Sequence, residues 1–329
     1  MKQDAFEAQY ASTWDQFESW IRILSKRPAS SSEEAGIRRQ IGRQFPALYR
    51  QVCHHLALAR ARRYSIGLQQ RLNQLALEGH QHLYRSRTAF FHSLGRFFLN
   101  DFPAAFRRRW RYMLTATLLL YLPAAGMAIA IQMHGDLVYS LLEPAQISQM
   151  EAMYDPDNRV LGRERESDTD ISMFGFYIYN NIGIGFRMFA GGLLFGIGSV
   201  FFLCFNGLFF GAISSHLTSV GFTETFWPFV IGHSSFELTG IVIFGGVGLM
   251  LGYGAIAPGR KRRWHAIRDQ AIDAMPLVYG ATAMLIAAAF VEAFWSSTTW
   301  PPISIKYVVG SILCLLLGLY FSLLGHHES

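Results

Sequence analysis

The sequence predicts an all-α protein: a polytopic membrane helical bundle preceded by a water-soluble helical region. Three observations predict it. Of 329 residues, 51% are hydrophobic and only 16% are charged, against roughly 25% charged in ordinary soluble domains. The charges are clustered: residues 1–110 hold 18 Lys+Arg against 8 Asp+Glu, and residues 134–181 hold 3 Arg against 9 acids. Beyond residue 110, apolar runs of roughly 20 residues recur, each long enough to cross the hydrocarbon core of a bilayer. The expected division is a basic cytoplasmic helical region, 1–110, and a transmembrane domain, 111–329, with an acidic extracytoplasmic loop over 134–181.

The opening MKQDAFEAQYASTWDQF has neither the basic start nor the apolar core of a secretory signal. Phe6, Tyr10, Trp14, Phe17, Ile21 and Leu24 recur at steps of three and four, the apolar stripe of an amphipathic helix. Pro28 and the serines 30–32 end it, and Ser31 with Glu34 fits a capping box for the next helix. Ile37, Ile41 and Phe45 carry that helix to Pro46, which should break or kink it. Leu48, Val52, Leu56 and Ala59 resume the stripe, and Leu68, Leu72, Leu75 and Leu83 mark a further helix to about Phe98. His54, His55, His80, His82 and His92 lie here without the cysteine spacing of a zinc module. Cys53, Cys204 and Cys314 do not form a disulfide framework.

An arginine excess points to an anionic partner. Arg107, Arg108, Arg109 and Arg111, with Trp110, run straight into the first apolar segment. They read as an interfacial anchor against anionic lipid rather than a nucleic-acid surface.

Clear spans are 112–133, 227–254, 275–296 and 303–324. A glycine-rich apolar stretch, 183–221, is ambiguous, and charge decides its count. The basic flank before residue 112 and the loop holding Arg260, Lys261, Arg262, Arg263 and Arg268 should both face the cytoplasm. The stretch must then enter and return: a span near 184–204, a turn at Asn206-Gly207, and a short returning or re-entrant segment to 221, shielded from lipid. That gives six crossings with both termini cytoplasmic. Glycines at four-residue spacing, Gly192 with Gly196 and Gly248 with Gly252, permit close helix contact within the chain or in a homo-oligomer.

Ionisable residues inside spans are costly and mark functional sites. His233 and Glu237 are four apart, so they share a helical face, and Glu292 falls in another apolar run. On this topology they gather near the outer face with Asn180 and Asn181, with Arg187 one or two turns deeper to pair with an acid, and Asn206 nearby. Three chemistries are open to such a cluster: a divalent metal on His233, Glu237 and Glu292, a proton or ion relay, or the binding of a polar ligand or partner. A hydrogen-bonded lock between helices is the alternative to all three. HSSFE lacks the second histidine of a zinc-protease helix, and no nucleophile elbow or phosphate-binding glycine loop is present. Enzymatic activity is therefore not expected, and an intramembrane metal-dependent hydrolase ranks last.

The ordered set NN at Asn180-Asn181, NG at Asn206-Gly207, HSSFEL with GGVGLMLG, and VEAF around Glu292 resembles the stage II sporulation protein M family over about residues 100–325. The family's glycine after the histidine is Ser234 here. The N-terminal FEAQYASTWDQFESW resembles the longer members outside spore formers. The resemblance implies an integral inner-membrane protein that anchors or organises a cell-envelope, peptidoglycan-related complex. By family analogy its partners are a MoxR-type ATPase or a von Willebrand A domain protein. A transporter or channel with an intramembrane His/Glu site is the other class that the residues allow.

Overall fold

The computed structural model describes residues 2–25, 32–158, 161–162 and 170–325. Helices make up 87% of it and there is no strand among the described residues. The chain divides into two compact units, Met1–Gly95 and Arg96–Ser329.

The first unit holds three helices, α1 (Gln3–Ser25), α2 (Ser32–Ala61) and α3 (Ile66–Arg96). Their apolar stripes close on one core of Phe6, Trp14, Phe17, Ile21, Ile41, Phe45, Val52, Leu56, Leu68, Leu72 and Leu75. Two expectations need correction. Pro46 sits inside an unbroken α2. A proline removes one backbone bond, but Ile41 and Phe45 before it and Val52 after it are all held in the same core, so packing keeps the helix running. Ile37 is exposed rather than core-facing. The Ser31 cap lies outside the described residues.

The second unit starts 15 residues earlier than the expected boundary at 110. Residues 97–101 form a π-helical turn leading into α4 (Phe102–Arg108). Phe102 and Ala105 are buried in the core of the membrane unit, which ties this segment to it. Long helices follow: α5 (Trp110–Met133), α7 (Asp170–Gly191), α8 (Ile197–Ser219), α9 (Thr223–Ile256), α10 (Arg263–Val291) and α11 (Ile303–Leu323), with a short α6 (Pro144–Met153) between α5 and α7. A π-helical turn, residues 292–296, extends α10.

Five of these, α5, α8, α9, α10 with its π turn, and α11, are long and apolar enough to cross a membrane. At 22 residues α7 is long enough, but Asn180, Asn181 and Arg187 dilute its hydropathy. Counting it, six long helices make the bundle. α9 is its axis, its buried face running from Gly240 to Leu251.

The hairpin in 183–221 differs from the expected one. Its turn falls at 192–196, not at Asn206-Gly207, and the returning arm is no short segment, because α8 runs 23 residues. Phe195 (φ 54°) and Gly196 (φ 81°) take left-handed backbone at the turn. Asn206-Gly207 lies within α8, where Gly207 meets the backbone of Leu120 in α5. In soluble chains Asn-Gly signals a turn; here the glycine serves close helix approach instead. The loop expected over 134–181 also ends early, since α7 begins at Asp170. The four-residue glycine pairs meet one another within the chain: Gly192 lies against Gly248, and Gly196 against Gly252.

Candidate functional site

The site-bearing residues arrive on four helices at a common depth. Asn180 and Asn181 are ten and eleven residues into α7, and His233 is ten residues into α9, so each lies about 15 Å from the start of its helix at 1.5 Å per residue. Glu237 follows one turn below His233. Glu292 opens the π turn at the far end of α10. Ring contacts of Phe174 with Phe290 and Phe294 hold α7 against this end of α10. The asparagines are therefore within the helical bundle, not at the edge of a loop as expected.

One cavity of about 390 Å³ is lined by Asn180, Asn181, Arg187, Asn206, Glu237 and Glu292. Its apolar wall includes Phe202, Phe205 and Phe209 of α8, with Met150 and Tyr154 from the α6 segment. His233 stands behind Glu237, with Nε2 3.4 Å from its Oε2. One ligand atom from each of His233, Glu237 and Glu292 lies within 4.8 Å of the other two.

The histidine ring is fixed from two sides. Its Nδ1 lies 3.0 Å from Ser296 Oγ, and the Phe229 ring meets it edge-on at 5.3 Å. Gly232 makes room for that serine, because a Cβ there would stand 2.7 Å from Ser296 Oγ. Ser296 is wholly buried. Sequence reasoning missed it, although it lies four residues after Glu292 and so on the same helical side.

The amide groups are only partly satisfied. Asn180 Nδ2 donates to Asn181 Oδ1 at 3.3 Å. Asn181 is 1% exposed, and its Nδ2 has no hydrogen-bond partner among the described residues. Asn206 Nδ2 donates back to Phe202 O of its own helix. Arg187 does not form the expected ion pair: no carboxylate among the described residues lies within 4.0 Å of it. It lines the same cavity as Glu237 and Glu292 without touching either.

The arginine belt divides its work. Arg107 reaches back to cap α11, donating to Phe321 O at 3.0 Å and to Leu324 O. This satisfies carbonyls that a helix end leaves open. Arg109 pairs with Asp273 at 2.7 Å. Trp110 is exposed, with the Arg111 guanidinium over its ring at 5.6 Å, the disposition of an interfacial anchor. Arg108 lines a polar recess with Arg109 and Asp273.

A helical bundle with several membrane-length helices and a polar cavity among them is an integral membrane protein. A family model described as stage II sporulation protein M matches residues 112–297, more than half of the chain and a stretch that holds every cavity residue predicted from sequence. The chain belongs to that family. A second model, described as a domain of unknown function (DUF8413), matches residues 4–85, within the first unit. No curated protein and no solved structure matches the chain.

Proposed function

We propose that this protein is an inner-membrane component that organises a cell-envelope, peptidoglycan-related assembly, with both termini cytoplasmic. The two-unit build carries the reading. The membrane unit supplies the anchor, and the first unit, with a core of its own, supplies a docking module. That module exposes Ile66 at 74% and Leu77 at 54% on α3, eleven residues apart and so on one side of the helix, the side we assign to docking. The basic loop holding Arg260, Lys261 and Arg262 supports the cytoplasmic placement of the ends. By analogy with the longer family members, the partner proposed for the docking module is a MoxR-type ATPase or a von Willebrand A domain protein.

The experiment is cross-linked affinity purification from native membranes. Wild type is expected to recover one of these two partners. Ile66→Glu with Leu77→Glu should lose it while the protein stays in the membrane. Equal recovery with both substitutions in place would remove the docking role of this surface.

The cavity favours a second reading, a transporter or channel-like protein, because Glu237 and Glu292 face a space at membrane depth. Proton or cation flux in liposomes, lost in Glu237→Gln, is its signature.

A further inference from the structure

We propose that His233, Glu237 and Glu292 bind one divalent transition-metal cation of the zinc or manganese class, with coordination positions left open towards the cavity. The inference goes beyond the assembly role, and its test uses the purified protein alone, so either can fail without the other.

The geometry comes first. The three ligand atoms lie within 4.8 Å of one another. A cation at the centre of such a triangle would stand about 2.8 Å or less from each. Inward side-chain rotation of under an ångström brings this to the roughly 2.0–2.2 Å of metal–nitrogen and metal–carboxylate bonds. One imidazole with two carboxylates is a donor set for zinc, manganese or iron(II), whereas calcium and magnesium take oxygen ligands. A dication also balances the two carboxylates in an apolar bundle, where unbalanced charge is costly.

Two observations outside the ligand set point the same way. Metal-binding histidines hydrogen-bond through the other ring nitrogen, and His233 has that partner in Ser296, 3.0 Å from Nδ1. A proton on Nδ1, donated to the serine, leaves the Nε2 lone pair on the side of Glu237. The second observation is Asn181. Its buried Nδ2 lacks an acceptor among the described residues, and it lines the cavity that Glu237 and Glu292 face. A buried amide donor without a partner is costly. An oxygen ligand on the metal, water or an anionic group, would accept from it. Three protein ligands and an exchangeable fourth position separate such a centre from a closed structural site.

The test is metal titration of the full chain in detergent, stripped with a chelator and reloaded with Zn²⁺ or Mn²⁺. Wild type should take up one equivalent, and His233→Ala and Glu292→Gln should each lose it. Ser296→Ala keeps all three ligands and should bind about 10–100-fold more weakly. Wild type with no stoichiometric metal at micromolar concentration would overturn the proposal. So would uptake by Glu292→Gln and Ser296→Ala equal to that of wild type. If His233→Ala fails to fold, the Mn²⁺-loaded wild type decides. Its electron spin-echo spectrum should show histidine nitrogen coupling, and a spectrum without nitrogen would sink the assignment.

Discussion

Two buried histidines, one in each unit, make an instructive pair. His55 is 6% exposed and His233 is 5% exposed, and each has one close side-chain partner at 3.0 Å. Around His55 everything closes. Trp14 Nε1 donates to its Nδ1, and Phe6 and Tyr10 pack their rings on it. Around His233 the second ring nitrogen looks at a carboxylate, and behind that carboxylate is a cavity. Burial and one hydrogen bond are therefore common to both histidines. The carboxylate and cavity beyond His233 are what set it apart.

The largest effect that would break this contrast is expected from Trp14→Ala. It removes the partner of His55 and the largest wholly buried side chain among the described residues, at a cost of about 3–5 kcal/mol. Limited proteolysis should then cut within residues 2–95 while the membrane unit keeps its protected fragments. On the other side, Gly248→Val pushes a side chain into Ser199 Oγ and Met188 O, where α9 meets the hairpin of α7 and α8. Overpacking of this kind costs about 1–3 kcal/mol, seen as a lower melting temperature in detergent.

A smaller effect is expected from pH. Burial, with the nearby His54 adding to it, holds the His55 pKa below its ordinary value. The unfolded chain therefore binds this proton more readily than the folded one. Stability of the first unit is full above about pH 6.5 and declines as pH falls from there towards the folded pKa. Urea midpoints between pH 7 and pH 5 should show the decline, and His55→Gln should flatten it. The smallest effect is from Gly232→Ala. Its methyl group displaces the Ser296 hydroxyl and presses on the Trp295 ring at 3.3 Å, so stability should fall by about 1 kcal/mol. The His233 ring ¹⁵N shifts should move nonetheless, because Nδ1 loses its partner; unchanged shifts would mean that the serine does not hold the ring.

Much of this was legible in the sequence. The stripe from Phe6 to Ile21 and those through Val52 and Leu72 gave the core of the first unit, because amphipathic periodicity survives any arrangement of neighbours. The four-residue spacing of His233 and Glu237 fixed their shared face in the same way. The hairpin turn was not legible. Gly-Leu-Leu-Phe-Gly at 192–196 carries no polar residue, and the chain turns there because Gly196 can meet Gly252. Asn206-Gly207 carries a turn signal that holds where water competes for the backbone. Ser296 was half legible: its spacing from Glu292 puts both on one side of α10's end, but only the packing of that end on α9 brings it to a histidine 63 residues away.

The low hydropathy of α7 bears on how the protein is made. A segment with two asparagines and an arginine is a poor substrate for insertion into lipid by itself. Its successor α8 carries no Asp, Glu, Lys or Arg, is apolar enough to cross a membrane and is connected by a five-residue turn, so α7 enters as the weaker arm of a hairpin that α8 drives. α9 and α10 come later in the chain. The wall around Asn180, Asn181 and Arg187 is therefore complete only once Glu237 of α9 and Glu292 at the end of α10 are in place. The cavity thus depends on the later helices for both of its carboxylates.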